Sequence, residues 1–312
     1  MKLGFIGFGG AGYGLAKGLR GAGVAEIHYY DRMQETPPYA AVIGAHAAEV
    51  GAFRASTAAD LLARADWIVS CVTGAMAVEV AREAAPDLGA GHLWADVNTA
   101  SPRVKQEVAA IVEETGAAFC DAAMMGPVPT YLHRVPILAS GGGAERFRDG
   151  MRPYGMDIRT IGEKPGQASA IKMFRSIFMK GLLSLFLEML TATHRYGVDE
   201  TVLASIAETM DGPSFLETAR MQMTKGAVNA ERMAHEMEEV IATLDELGVP
   251  AGMSRAAREK LLWCAGFGLR ERFGGEMPST LGEVLRAMET PGDGNAPGGA
   301  PPKGRPTAGP GR

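Results

Sequence analysis

The sequence predicts an α/β protein: a doubly wound parallel sheet in the N-terminal half, followed by an all-α C-terminal domain. Short β-like runs alternate with alanine-rich helical stretches as far as about Ile161, and that alternation implies βαβ units around a parallel sheet. Beyond about Gly166 the β signal stops and long helix-compatible stretches take over. At 312 residues the chain also exceeds the usual size of one hydrophobic core, so two folded units are expected.

In chain order the strand-like runs are Leu3–Ile6, 26–30, 67–72, 93–97, 118–120 and 135–139. The stretches between them are expected to supply the right-handed crossovers that parallel neighbours need. The second region offers helices at 167–196, 200–210, 214–225, 232–247, 253–267 and 281–288. Met233, Met237, Val240, Ile241 and Leu244 recur at three and four, the stripe of a helix packing on one face. The expected boundaries are therefore 1–164 for the sheet domain, 165–290 for the helical domain and 291–312 for a tail. That tail holds 7 glycines and 6 prolines and no apolar side chain larger than alanine, so it is expected to be disordered.

Composition excludes several classes of function. A formal net charge of -5 supplies no basic field for nucleic acid. Cys71, Cys120 and Cys264 form an odd, widely spaced set without a CxxC pair, which suits a reducing compartment and argues against a disulfide frame or zinc ribbon. The N-terminus shows no cleavage pattern of an export signal. The most apolar stretch, 177–190, is interrupted by Lys180 and Glu188 and leaves no clean membrane span. A cytoplasmic protein with neither membrane nor nucleic-acid partners is expected. No His, Asp or Glu cluster has metal-ligand spacing, so no metal is expected, and Ser140 before Gly141 and Gly142 lacks the GxSxG elbow of acyl transfer.

The first strand runs into Gly7, Phe8, Gly9, Gly10, Ala11 and Gly12, with a helical stretch after them: a GxGxxG loop between a strand and a helix. In that context Gly7 permits the tight turn, Gly9 lets the main chain approach a pyrophosphate, and Gly12 lets helix pack on strand. The bare amides at the helix start supply an anion site. A Rossmann-type dinucleotide site is the expectation. Asp31 ends the next strand, 19 residues after Gly12, where a carboxylate binds ribose hydroxyls and repels a 2′-phosphate. That favours NAD. Arg32 keeps NADP open, because a guanidinium pairs with phosphate. Val72, Thr73 and Asn98 follow later strands, on the side where ligands of such sheets bind, and are expected near the nicotinamide ribose.

Lys172 begins a second pattern. Arg175, Ser176 and Lys180 follow it at offsets of three, four and eight, so the four project from roughly one helix face. Ile171, Met173, Phe174, Ile177, Phe178 and Leu182 make the helix apolar elsewhere, which argues for a partly buried lysine. Such an amine has a lowered pKa suited to proton transfer near neutrality.

With these residues in order, the chain resembles the β-hydroxyacid dehydrogenase family, which includes 3-hydroxyisobutyrate, tartronate semialdehyde and 6-phosphogluconate dehydrogenases, over about residues 1–290. The similarity lies in the GxGxxG start, Asp96-Val97-Asn98-Thr99 before Ser101-Pro102, Asp121-Ala122-Ala123-Met124-Met125-Gly126, and Gly166 followed by Lys172. Arg175-Ser176 with Lys180-Gly181, and Arg232 with Glu236-Met237-Glu238-Glu239, look like the phosphogluconate-dehydrogenase-like subgroup that carries a C-terminal domain of unknown function. The resemblance implies that Lys172 is the general base and acid, exchanging a proton with a substrate hydroxyl while hydride passes between its carbon and the nicotinamide. It implies that 121–129 and 172–180 line the substrate pocket, that His235-Glu236 stands where relatives carry Lys-Asp, and that the protein is a homodimer or homotetramer.

The departures are equally specific. Where relatives hold a substrate carboxylate with Ser-Gly-Gly, this chain has Met125, Gly126 and Pro127, and Ser176 replaces the usual Asn. Arg175, Arg232 and Lys180 are the cations available to replace that clamp on an anionic small molecule. Met179 stands where 6-phosphogluconate dehydrogenase places an acid, which removes support for decarboxylation. The expected activity is therefore that of an NAD(P)-dependent dehydrogenase or reductase acting on a small β-hydroxy acid or related alcohol. A reductase of imines or bulky carbonyls on the same scaffold, and a dinucleotide-binding protein without turnover, remain as alternatives.

Overall fold

A computed structural model of the chain describes residues 1–289. The expected tail at 291–312 lies outside the described residues. The chain divides into two compact units, Met1–Phe178 and the part from Met179 onward.

The first unit carries the sheet. Its strands are β1 (Leu3–Ile6), β2 (Ile27–Tyr30), β3 (Phe53–Arg54), β4 (Trp67–Ser70), β5 (Leu93–Asp96), β6 (Ala118–Met124), β7 (Ile137–Ser140) and β8 (Ile158–Gly162). The helices among them are α1 (Gly10–Gly21), α2 (Tyr39–Val50), α3 (Ala58–Leu62), α4 (Ala77–Ala84), α5 (Pro102–Glu114), α6 (Val128–Tyr131) and α7 (Ala144–Met151), and α8 (Gln167–Tyr196) runs on into the second unit. The strand order is β3-β2-β1-β4-β5-β6-β7-β8. The order reverses at β1, so the crevice over the carboxyl ends of β1 and β4 is the natural ligand position.

Consecutive residues of one strand belong to different apolar clusters. Leu3, Phe5, Val69, Leu93 and Ala95 pack on one side with Leu15 and Leu19. Ile6, Ile68, Trp94 and Phe119 pack on the other with Leu61, Val108 and Val112. This period of two, with both faces covered, is why the central strands read as nearly continuous apolar runs.

Three features depart from the sequence reading. The sheet is mixed rather than wholly parallel, because β7 runs antiparallel to β6. Only the one-turn helix α6 and a further turn lie between those strands, too little to carry a parallel crossover. The edge strands β3 and β8 went unseen, the first being two exposed residues long and the second mixing Arg159 and Thr160 with isoleucines. β6 extends to Met124, past the expected end at 120, because Asp121 to Met124 pair with β7 and the Asp121 carboxylate is buried and paired with Lys105.

The second unit is helical: after α8 come α9 (Asp199–Met210), α10 (Phe215–Met221), α11 (Ala230–Glu246), α12 (Gly252–Ala265), α13 (Leu269–Arg272) and α14 (Leu281–Glu289). Ala192, Ile241, Leu244, Val249 and Ala251 form one core, and Ala227, Phe267, Leu269 and Val284 another. Glu188 of α8 ties the start of α12 into place. It accepts hydrogen bonds from the amides of Met253 at 2.7 Å and Ser254 at 2.8 Å and from the Ser254 hydroxyl at 2.7 Å. Burial pushes this carboxyl up, but the three bonds outweigh burial and hold it below the ordinary range. A carboxyl depressed in the folded state adds stability above its unfolded pKa and loses it as pH falls through the folded value. Glu188→Gln is therefore expected to destabilise the protein by about 1 kcal/mol at pH 7, as removal of a helix cap does. The gap should close as pH drops below the free glutamate value of about 4.3, measured by thermal unfolding of both proteins across pH.

Candidate active site

β1 delivers the chain into Gly7, whose φ is +94°. A Cβ there would lie 2.3 Å from the Cys71 carbonyl oxygen, and one on Gly12 would lie 2.4 Å from the Gly7 oxygen, so both positions require glycine. Gly9 and Gly10 have open space where their side chains would be. Gly9 is also the residue before α1 and offers no side-chain cap, which leaves the first amides of that helix bare for an anion. Phe8 contributes main chain only. Its ring is buried and stacks on Tyr29 with centroids 4.6 Å apart.

Asp31, just beyond β2, receives the Phe8 amide at 2.7 Å and the Met33 amide at 2.8 Å. Its carboxylate is thereby fixed beside the glycine loop. Arg32 next to it is engaged by α4, with bonds of 2.9 Å to Glu79 and 2.8 Å to Glu83. A cavity of about 760 Å³ opens here, lined by Gly7, Gly9, Gly10, Ala11, Asp31, Arg32, Val72 and Thr73. The expected residues Phe8, Gly12 and Asn98 are not in its wall. Tyr39, His46 and Glu83, which sequence reading missed, are. His46 stacks on Tyr13 at 3.9 Å, a contact 33 positions apart that no local pattern announces. Cys71 also borders the cavity, and burial first, then the charges of Asp96 and Asp31, pushes its thiol up to about 12.

Asn98 holds the loop after β4 instead of facing the cavity. It is 4% exposed, accepts the Val72 amide at 2.6 Å and donates to Ser70 Oγ at 3.0 Å. Its own amide bonds Asp96 Oδ1 at 2.9 Å. Thr99, the next residue, accepts a 3.1 Å hydrogen bond from Lys172 Nζ. Lys172 is half-buried on the second turn of α8. The Ser176 hydroxyl donates to the Lys172 carbonyl at 3.0 Å, which uses it within the helix, and Arg175 is exposed.

Asp121, implied as pocket wall, is fully buried instead, and so are Ala122 and Ala123. The strand pairs with β7 through these residues, and the chain becomes accessible from Met124 onward, at Met125, Gly126 and Pro127 past its end. The Met125 amide donates to the Pro136 carbonyl at 2.7 Å, and Gly126 lies against the Tyr131 ring, where a Cβ would come within 3.3 Å. Lys180, Arg232 and His235 belong to the second unit and are exposed, with Arg232 paired to Glu236 along α11. Among the described residues no group of three or more His, Cys, Asp or Glu side chains is arranged to hold a metal.

The open glycine surface, the bare helix start and the fixed Asp31 carboxylate fit the pyrophosphate and ribose of a nicotinamide dinucleotide. Comparison with known proteins agrees. Residues 2–152 match the NAD binding domain of 6-phosphogluconate dehydrogenase, and residues 193–263 match a domain of unknown function, DUF1932. A solved conserved protein of unknown function, MTH1747, described as structurally similar to 3-hydroxyacid dehydrogenases, is 33% identical, with 85% of this chain and 98% of that one covered and a TM-score of 0.59. The NADH-dependent oxidoreductase ucdB of Aspergillus ustus is 28% identical over 137 residues, 44% of this chain and 47% of that protein. An imine reductase from Myxococcus stipitatus in complex with NADP+ shares the fold at 19% identity and a TM-score of 0.71, covering 92% of this chain and 100% of that one. The chain thus belongs to the 3-hydroxyacid dehydrogenase-like oxidoreductases that join an NAD(P)-binding domain of the 6-phosphogluconate dehydrogenase type to a helical DUF1932 domain.

Proposed function

We propose that the protein is a dehydrogenase or reductase acting between a small β-hydroxy acid, or a related alcohol, and its carbonyl form. The observation that carries the reading is the Lys172 amine, half-buried and held 3.1 Å from Thr99 Oγ1. A bound nicotinamide dinucleotide supplies the hydride acceptor or donor. The amine takes the proton from the substrate hydroxyl as hydride leaves its carbon, and returns it in the reverse direction. Thr99 orients the amine. Arg175, exposed one turn further along α8, is a cation for an anionic substrate group.

NAD is the preferred coenzyme in this reading. Asp31 occupies the ribose position, and Arg32 is already neutralised by two glutamates, one of which, Glu83, lines the cavity. A 2′-phosphate would meet three carboxylates before it met a free guanidinium. Glu79→Gln with Glu83→Gln should release Arg32 and improve NADP+ binding relative to NAD+ about tenfold, roughly one charge-assisted hydrogen bond after screening. Titration of both coenzymes against the double variant checks this, and an unchanged ratio would contradict it.

Met125, where relatives carry a polar clamp, favours a second reading, reduction of an imine or bulky carbonyl with the same amine moving the proton. A turnover screen of hydroxy acids with NAD+ and of imines with NADH separates the two, and silence from both panels would defeat the enzymatic reading. The three free thiols suit a cytoplasmic location. No described helix is long and apolar enough to cross a membrane. We further propose a homodimer, since α8 leaves Phe174, Ile177, Leu183 and Leu187 exposed in the single chain at 59% or more.

A further inference from the structure

The sheet interior contains a group of charges that the reaction above does not use. Lys105 of α5 is wholly buried. Its Nζ lies 2.8 Å from Asp96 Oδ1, 2.8 Å from the Asp96 carbonyl and 3.3 Å from Asp121 Oδ1, and both carboxylates are wholly buried too. Burying three charges is expensive, and apolar residues of similar size would hold two strands and a helix together at least as well. Charged oxygens provide something apolar packing lacks, namely directional acceptors for particular N–H and O–H groups.

The acceptors are used at two places. Asp96 Oδ1 takes the amide of Asn98, the residue before Thr99. Asp121 Oδ2 takes the amide of Ser169 at 2.9 Å, and its Oδ1 takes the Ser169 hydroxyl at 2.7 Å. Ser140 Oγ accepts the Ala168 amide at 3.1 Å. The first turn of α8 is therefore capped from outside, by side chains of β6 and β7, and its positive end faces the Asp121 carboxylate. Ser169 and Lys172 are three apart on α8, neighbours on one helix face. Ser169, a neighbour of Lys172 on α8, and Asn98, the residue before Thr99, are thus each hydrogen-bonded to a carboxylate, and Lys105 joins the two carboxylates.

We infer that Asp96, Lys105, Asp121 and Ser169 form a positioning bridge that sets the Lys172 amine against Thr99. These are not catalytic residues, since they lie beneath the site and act through Lys172 and Thr99. The inference rests on the proposed role of Lys172. Ser169 is the link that can be cut most gently, because the backbone bond from its amide to Asp121 survives loss of the hydroxyl.

The test uses the full-length wild type, Ser169→Ala and Ser169→Thr, with two readouts. The first is competitive acetylation of Lys172 by acetic anhydride across pH, quantified by peptide mass spectrometry, which needs no substrate. The second is kcat and KM on whichever substrate the turnover screen finds, beside NADH affinity. Ser169→Ala should change the rate and pH midpoint of Lys172 acetylation and lower kcat about tenfold, a loss of the size that small misplacement of a reacting group produces. NADH affinity should stay within about twofold, and Ser169→Thr, which keeps a hydroxyl, should restore both readouts. Unchanged Lys172 acetylation in Ser169→Ala would overturn the inference, whether or not thermal stability falls. Altered acetylation in a protein whose Lys172→Ala variant turns over at the wild-type rate would leave the bridge standing and remove the proposed function instead.

Discussion

Lys172→Ala is expected to lower kcat by about 10²- to 10⁴-fold, the usual contribution of a positioned general acid or base. Lys172 is half-buried and belongs to neither apolar cluster of the sheet unit, so the fold should survive its removal. NADH affinity should also survive, because the cavity that fits the dinucleotide is lined by the glycine loop, Asp31 and Val72 rather than by α8. Lys172→Arg should be nearly as inactive, since a guanidinium does not give up its proton at accessible pH. Steady-state rates beside fluorescence titration of NADH distinguish this from a general loss of structure. Equal losses of turnover and NADH binding would move Lys172 from proton transfer to coenzyme binding.

Gly7→Ala should have the largest effect on the other half of the site. Its φ of +94° disfavours any side chain, and the new methyl would sit 2.3 Å from the carbonyl of Cys71, the residue after β4, whose amide is bonded to the Ile6 carbonyl at 2.8 Å. Strain of this kind amounts to about 1 to 3 kcal/mol. Relief requires the loop to move away from β4, and the amides at the start of α1 move with it. Losing two amide-to-phosphate hydrogen bonds of about 1.5 kcal/mol each raises the NADH dissociation constant about a hundredfold. Gly9→Ala, whose methyl would enter open space, serves as the comparison: it adds bulk on the ligand side, so it should weaken NADH binding with little loss of thermal stability. A Gly7→Ala protein that binds NADH like the wild type would contradict the assignment of this loop.

Where the chemistry is local, it was legible. The glycine loop, the strand that precedes it and the acid after β2 lie within 31 residues, and Gly7, Gly9 and Gly12 each have a steric reason visible from spacing alone. The order of strands and helices was readable because both faces of the sheet are covered and its central strands are short apolar runs. What escaped depends on contacts across long stretches of chain. The partners of Arg32 are 47 and 51 positions away on α4, so a residue that suggested a phosphate ligand turns out to be paired with acids. Lys105 looks like an ordinary surface residue of an amphipathic helix, and Asp121 like the end of a strand, until the fold places them 3.3 Å apart. Asn98 was rightly placed after β5, but its amide is turned inward to hold the Val72 loop. The apolar flank of α8 argued for a partly buried Lys172, and Lys172 is half-buried, while Phe174 and Ile177 of the flank itself are 68% and 75% exposed in the chain by itself.

The most direct measurement follows the hydride itself. The protein is incubated with NADH deuterated at the nicotinamide C4 and with the carbonyl and imine panels, and the products are analysed by mass spectrometry. The account predicts one deuterium bonded to carbon in the product of the wild-type protein, a yield at least about a hundredfold lower with Lys172→Ala, and a yield with Gly7→Ala that falls with its weakened NADH binding and recovers at high NADH. Tight NADH binding by the wild type with no deuterium in any product, or full transfer by Lys172→Ala, would contradict it.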